Sequence, residues 1–322
     1  MDTTRNGWVN GFVGMVIFSG TLPATRVAVS SFDPIFVTSA RAVIAGTIGL
    51  AALLLLRERR PGRDELRSLF IVTFGVVIGF PLLTALALRH ISSAHSLVFT
   101  GLLPLSTAIF SVLRAGERPR PAFWLFSLLG STFVVGYAAV PGIAASPVGD
   151  LLMLAAIVVC GLGYAEGGRL SRTLGGWQVI CWALVLSLPV VLPISALYVP
   201  ASLDEVGIAA WISLAYVSLF SMLIGFVFWY RGLALGGIAA VGLLQLLQPF
   251  FGLGLAAMVL NETVSATMLA VILGIVACVG FARKFAPGPQ SNSAPLTSLP
   301  TGVASRGSEQ PAVDGRFEGP VG

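Results

Sequence analysis

A handful of side chains able to bind a solute, carry charge or move a proton stand inside apolar stretches of this sequence. They are Arg41 in SARAVIAG, His95 in SSAHSLVF, Glu166 in GYAEGGRL, and Gln245 and Gln248 in GLLQLLQP. At the centre of a membrane helix an ionised side chain costs about 2.5–3.5 kcal/mol on insertion scales, so each calls for a partner or a purpose. The planar fork of Arg41 can hold a carboxylate or phosphate, or its stem can carry the charge back to the surface. His95 can bind a solute or take a proton near neutral pH, or hydrogen-bond to its neighbours. Glu166 lies three residues before Arg169, and an i,i+3 ion pair is the simpler explanation. Facing a cavity, it would be a proton-coupling site. Gln245 and Gln248 share one helix face, and buried amides need partners, from another helix or from a solute. Thr100, Tyr164 and Trp182 are further candidates, the two aromatics by stacking or cation–π contact. Trp229 and Tyr230, near the end of an apolar run, read as interfacial anchors.

Catalysis finds no foothold. No HExxH motif, paired-Asp motif or Ser-His-acid set can be assembled from the polar breaks. Cys160, Cys181 and Cys278 lie far apart in apolar runs, with neither a disulfide framework nor zinc spacing. No catalytic residue, metal or cofactor is expected.

The elements that must position these residues are membrane helices. The chain has 322 residues, 56% hydrophobic and 10% charged, against about 25% charged in an ordinary soluble domain. A hydrocarbon core of about 30 Å takes roughly 20 apolar residues as helix. That window finds ten spans near 8–28, 34–56, 68–88, 91–113, 121–140, 150–169, 177–198, 207–230, 236–260 and 264–282. Runs such as AALLLL do not alternate as barrel strands would, so the fold class is all-α. The Arg before the first apolar run is followed by no convincing cleavage site, so that run is read as a retained first helix. Residues 285–322, rich in Pro, Gly and Ser, read as a disordered cytoplasmic tail.

The net charge of +5 does not point to nucleic acid, because the basic residues sit in short breaks between spans. With the N-terminus in the cytoplasm, fourteen Lys and Arg before the tail fall on that side and three on the other. The positive-inside rule then places both termini in the cytoplasm of a cell whose plasma (inner) membrane holds the chain.

Shifting the chain by 145 residues brings Pro104 onto Pro249 and Glu117 onto Glu262. Each Pro is read as sitting mid-helix, as a kink tolerable where it faces a cavity, and each Glu at a helix exit. Five spans per half is an odd number, so the halves, 1–145 and 146–284, must cross the membrane in opposite senses. Inverted repeats of this kind are the usual layout of secondary transporters, with the solute held between the halves.

With these motifs the chain resembles the drug/metabolite transporter superfamily, in its EamA-like branch of ten-helix carriers. The resemblance rests on the Pro and Glu pairs, on FSGTLPATRVAV (18–29) and on SARAVIAG (39–46), and covers about residues 8–283. The first helix has Phe18-Ser19-Gly20 where the family usually has Trp-Gly. The resemblance implies an alternating-access carrier of small organic solutes, often an exporter. It also implies a structural or gating role for Arg41, since the family shows a basic residue there whatever the substrate. The expectation is export of an amino acid or similar metabolite or drug-like compound by a monomer or homodimer in the lipid bilayer. His95, Thr100, Tyr164, Trp182, Gln245 and Gln248 would contact the substrate; Arg41, Pro104, Pro249, Glu117 and Glu262 would gate or brace; Glu166 or His95 would couple protons. A lipid-handling or sensory protein on the same scaffold is the alternative, and a membrane-embedded enzyme a weaker one.

Overall fold

In a computed structural model of the chain, the residues described are 2–91, 96, 99–139, 146–200, 202, 206–252, 254 and 266–286. His95, Glu262 and the tail beyond 286 lie outside the described residues, which all fall within the unit Met1–Gln290.

Among the described residues every regular element is a helix. Helix α1 (Asp2–Ser19) runs through a turn at Gly20 into α2 (Thr21–Val29). Helix α3 (Pro34–Leu55) is opened by Asp33, whose carboxylate accepts the Ile35 N–H at 2.8 Å. Pro34 supplies a first-turn φ without wasting a donor. Next come α4 (Arg63–Val72), a π-helical stretch Thr73–Gly79 and α5 (Phe80–Ala87). Helices α6 (Leu103–Ala115), α7 (Pro121–Ala139), α8 (Pro147–Leu170) and α9 (Gly176–Leu197) follow. A second π-helical stretch, Tyr216–Ile224, joins α10 (Ile208–Ala215) to α11 (Gly225–Gly236). Helix α12 (Ile238–Gly242) leads through a 3-10 stretch, Leu243–Leu247, to helical residues 248–252, and α13 is Ala266–Phe285.

Among the described residues six helical runs are long and apolar enough to cross a membrane: Thr3–Val29, Pro34–Leu55, Arg63–Ala87, Pro147–Leu170, Gly176–Leu197 and Ile208–Gly236. Their mean hydropathy runs from 1.5 to 2.4. Three shorter apolar helices, Leu103–Ala115, Pro121–Gly136 and Ile238–Gly252, stand where further spans were expected. Of the spans expected at 91–113 and 236–260, parts lie outside the described residues. Leu55, Leu197, Ile208 and Leu273 are each at least 70% exposed. In water such a surface would associate; against lipid tails it is matched. The chain is a multi-pass membrane protein.

Helix α1 lies against α11, α3 against α9, α6 against α8 and α7 against α13. The first of these contacts needs glycine. A Cβ on Gly232 would stand 2.5 Å from the Gly11 nitrogen, so the two backbones touch where any side chain would wedge them apart.

Two expectations are corrected here. Trp229 and Tyr230 are not interfacial anchors: both are fully buried in the main core, where the Tyr230 hydroxyl donates to the Gly163 carbonyl at 3.1 Å. Their helix continues to Gly236, so they sit deeper than the apolar run suggested. Nor does Pro104 sit mid-helix: it lies in the first turn of α6, after a turn at 101–102, where the missing N–H has no use. Pro249 does lie within a helical run, Ile238–Gly252, just after its 3-10 stretch Leu243–Leu247.

Candidate functional site

A narrow cavity of about 30 Å³ lies between α1, α2, α3, α8 and both π-helical stretches. Its polar wall is formed by Thr21, Arg41, Thr100, Tyr164, Ser221 and Gln248. Arg41 is 4% exposed. Its Nη2 donates to Ser221 Oγ at 3.1 Å, and that hydroxyl stands 2.9 Å from Thr21 Oγ1. The Arg41 Nε has no partner, and among the described residues no carboxylate pairs with this guanidinium. Gln248 reaches back to the first helix, its Nε2 donating to the Phe18 carbonyl at 3.3 Å.

The same lining carries aromatic rings. Phe18 and Phe226 have ring centroids 5.0 Å apart, and Tyr164 lies 5.9 Å from Phe226. Trp229 backs this group at 5.4 Å from Tyr164. Such tilted and edge-on contacts hold the rings in place.

The 145-residue shift recurs in the cavity. It carries Val76 onto Ser221, Pro81 onto Phe226 and Leu103 onto Gln248, and all six residues line the wall. It also carries the π-helical stretch Thr73–Gly79 into Tyr216–Ile224. A π-helical turn widens the backbone and is frequent at functional sites; here each half places one beside the same space.

Away from the cavity, at the end of the bundle holding Arg114 and Arg172, ion pairs tie residues before 118 to residues after 165. Glu166, fully buried, takes Arg114 Nε at 2.8 Å and Arg169 Nη2 at 2.5 Å, and Arg169 also bonds Ser68 Oγ at 2.8 Å. The i,i+3 pair is thus present, with a second arginine beside it. Glu117 follows Gly116, a left-handed cap at φ 66°, and is 1% exposed. Its Oε1 accepts from Arg172 Nη2 at 2.7 Å and from the Ile238 N–H at 2.9 Å, and its Oε2 from the Ala239 N–H at 2.8 Å. A carboxylate on the first N–H groups of a helix gains from both hydrogen bonding and the helix dipole.

The EamA-like transporter family model matches this sequence twice, over residues 5–137 and 147–283. The chain belongs to the EamA-like transporter family. A Bacillus subtilis (strain 168) protein named uncharacterized transporter YdeK is 63% identical over 286 residues, which span 89% of this chain and all of that one. The Escherichia coli (strain K12) uncharacterized inner membrane transporter YedA is 24% identical over 66% of this chain and 69% of its own. A solved crystal structure aligns with a TM-score of 0.71 at 22% identity, over 88% of this chain and 98% of that one, a likeness of fold.

In this EamA-like chain, Thr100, Tyr164 and Gln248, named from sequence, meet at the cavity with Arg41. Gln245 is buried beside Tyr164 and does not itself line the cavity. Trp182 packs half-buried against the main core and does not line the cavity, and Glu166 belongs to the ion-pair cluster. Sequence reading missed Thr21, Ser221, Phe18 and Phe226, ordinary residues for a membrane helix. It also missed that Glu117 caps α12, although the Gly236-Gly237 pair between two apolar runs marks the corner that makes the cap possible.

Proposed function

We propose that this protein is a secondary transporter that exports small organic solutes of amino-acid size by alternating access. In this reading residues 1–145 and 146–284 are two five-helix repeats of opposite orientation in the plasma membrane, with the termini in the cytoplasm. The solute binds in the Arg41 cavity, and the Glu117 and Glu166 clusters close its cytoplasmic side. The observation that carries the reading is the cavity wall itself: three of its positions pair with three others under the 145-residue shift. Two equivalent halves meeting at one cavity can exchange conformations, widening it and exposing it to either side in turn. The double family match supports the same reading.

The protein is then a carrier and not an enzyme. Reconstituted into liposomes preloaded with a mixture of amino acids, organic acids, amines and sugars, it should release one class faster than protein-free liposomes, chemically unchanged. Release of no solute would contradict the proposal, and transbilayer movement of labelled lipid in its place would favour the lipid-handling alternative.

A further inference from the structure

We infer that the Arg41 cavity takes a carboxylate on a compact apolar or aromatic body, so that the preferred solute is an amphiphilic organic acid and not an amine or a zwitterion. The inference rests on the transport reading and narrows its substrate class.

The argument is one of charge and shape. Burying a guanidinium is tolerable when a counter-charge or a full set of acceptors is present. Arg41 has one hydroxyl, Ser221 Oγ, and an unpartnered Nε, and it faces the cavity in place of a protein carboxylate. A ligand carboxylate would supply the missing charge, and the guanidinium fork matches its two oxygens. Of the two hydroxyl hydrogens in the Thr21–Ser221 pair beside Arg41, one bridges the pair and the other is free to donate to the same head group. No Asp or Glu lines the cavity among the described residues, so an ammonium would find a cation and no anion. A phosphate dianion would meet a single arginine, leaving one charge unmatched.

Phe18, Tyr164 and Phe226, packed on one another, supply the aromatic part of the lining for the body. The halves contribute unequally. At the paired positions the first half supplies Val76 and Leu103 where the second supplies Ser221 and Gln248. The lining thus combines hydroxyls, an amide and a guanidinium with aromatic and aliphatic side chains, as an amphiphile requires.

The test is a thermal-shift measurement on the purified full-length protein with five probes sharing a phenyl body. They are 3-phenylpropionate, phenylalanine, phenethylamine, 3-phenylpropanamide and phenyl phosphate. A ligand of the folded state raises the melting temperature by mass action. The largest rise is expected with 3-phenylpropionate, with binding at least tenfold weaker in Arg41→Gln and intermediate in Arg41→Lys. If Arg41→Gln fails to fold, the ranking in the unaltered protein decides: the acid well above the amide supports the inference. An amide, amine or zwitterion level with the acid overturns it, as does a phosphate ester ahead of the acid, or no shift with any probe. Liposome flux of the same probes separates the two claims. Movement of the amine or zwitterion without the acid overturns the carboxylate site and leaves the carrier standing; binding of the acid with no flux of any probe does the reverse.

Discussion

Glu117 Oε1 accepts the backbone N–H of Ile238 at 2.9 Å, across 121 residues of sequence. The side chain that ends one helix thereby begins another, and Arg172 neutralises it from a third element at 2.7 Å. Removing the carboxylate strands a buried arginine and two helix-terminal donors, and breaking a buried pair in this way costs about 3–5 kcal/mol. Glu117→Ala should therefore lower the melting temperature of the purified protein sharply, and Glu117→Gln, which keeps one acceptor oxygen, should lower it less. Gly237 allows the corner with φ 90° and ψ 137°, a region open essentially to glycine alone, and Gly237→Ala should cost about 1–3 kcal/mol. Wild-type stability in Glu117→Ala would show that the cap does not hold α12.

The second carboxylate bears on energy coupling. Glu166 is clamped between Arg114 and Arg169 and lies off the cavity. A proton taken up there would leave two guanidiniums facing each other without an anion, an arrangement unsuited to cyclic protonation. Glu166→Gln should alter stability and transport rate, yet leave the dependence of flux on an imposed pH gradient unchanged. Loss of that dependence would make Glu166 the proton carrier.

The contact of α1 with α11 gives a prediction of opposite sign at two glycines. A Cβ on Gly232 would meet the Gly11 nitrogen at 2.5 Å, whereas one on Gly136 would meet nothing within 4 Å. Gly232→Ala should destabilise the protein and slow transport. Gly136→Ala, an exposed helical site, should stabilise by about 0.5–1 kcal/mol through reduced chain entropy. Equal melting temperatures for the two variants would remove backbone contact as the reason for the glycine.

Much of this was legible in the sequence, for identifiable reasons. Membrane helices announce themselves by length and apolarity, which is why runs such as Pro34–Leu55 and Gly176–Leu197 fall where the window placed them. The Pro104/Pro249 pair was visible because proline is rare in such runs, but its position was not. Whether a proline opens or interrupts a helix depends on the turn before it, and LLP and LQP carry no such signal. Arg41 stood out because charge is scarce there; Ser221 and Thr21 did not, because a hydroxyl in a membrane helix usually bonds its own backbone. The cap on Ile238 joins residues distant in sequence, and nothing local to Glu117 foretells it.

The central claim is that the Arg41 cavity opens to each side of the membrane in turn, and side-specific labelling tests it most directly. Cys160, Cys181 and Cys278 are free and buried, so replacing them with alanine leaves a background in which Ser221→Cys is the sole thiol. In oriented proteoliposomes a membrane-impermeant thiol reagent should modify that residue when supplied from either face, and the transported solute should slow both reactions. Modification from one face alone, under every condition of substrate and gradient, would contradict the account.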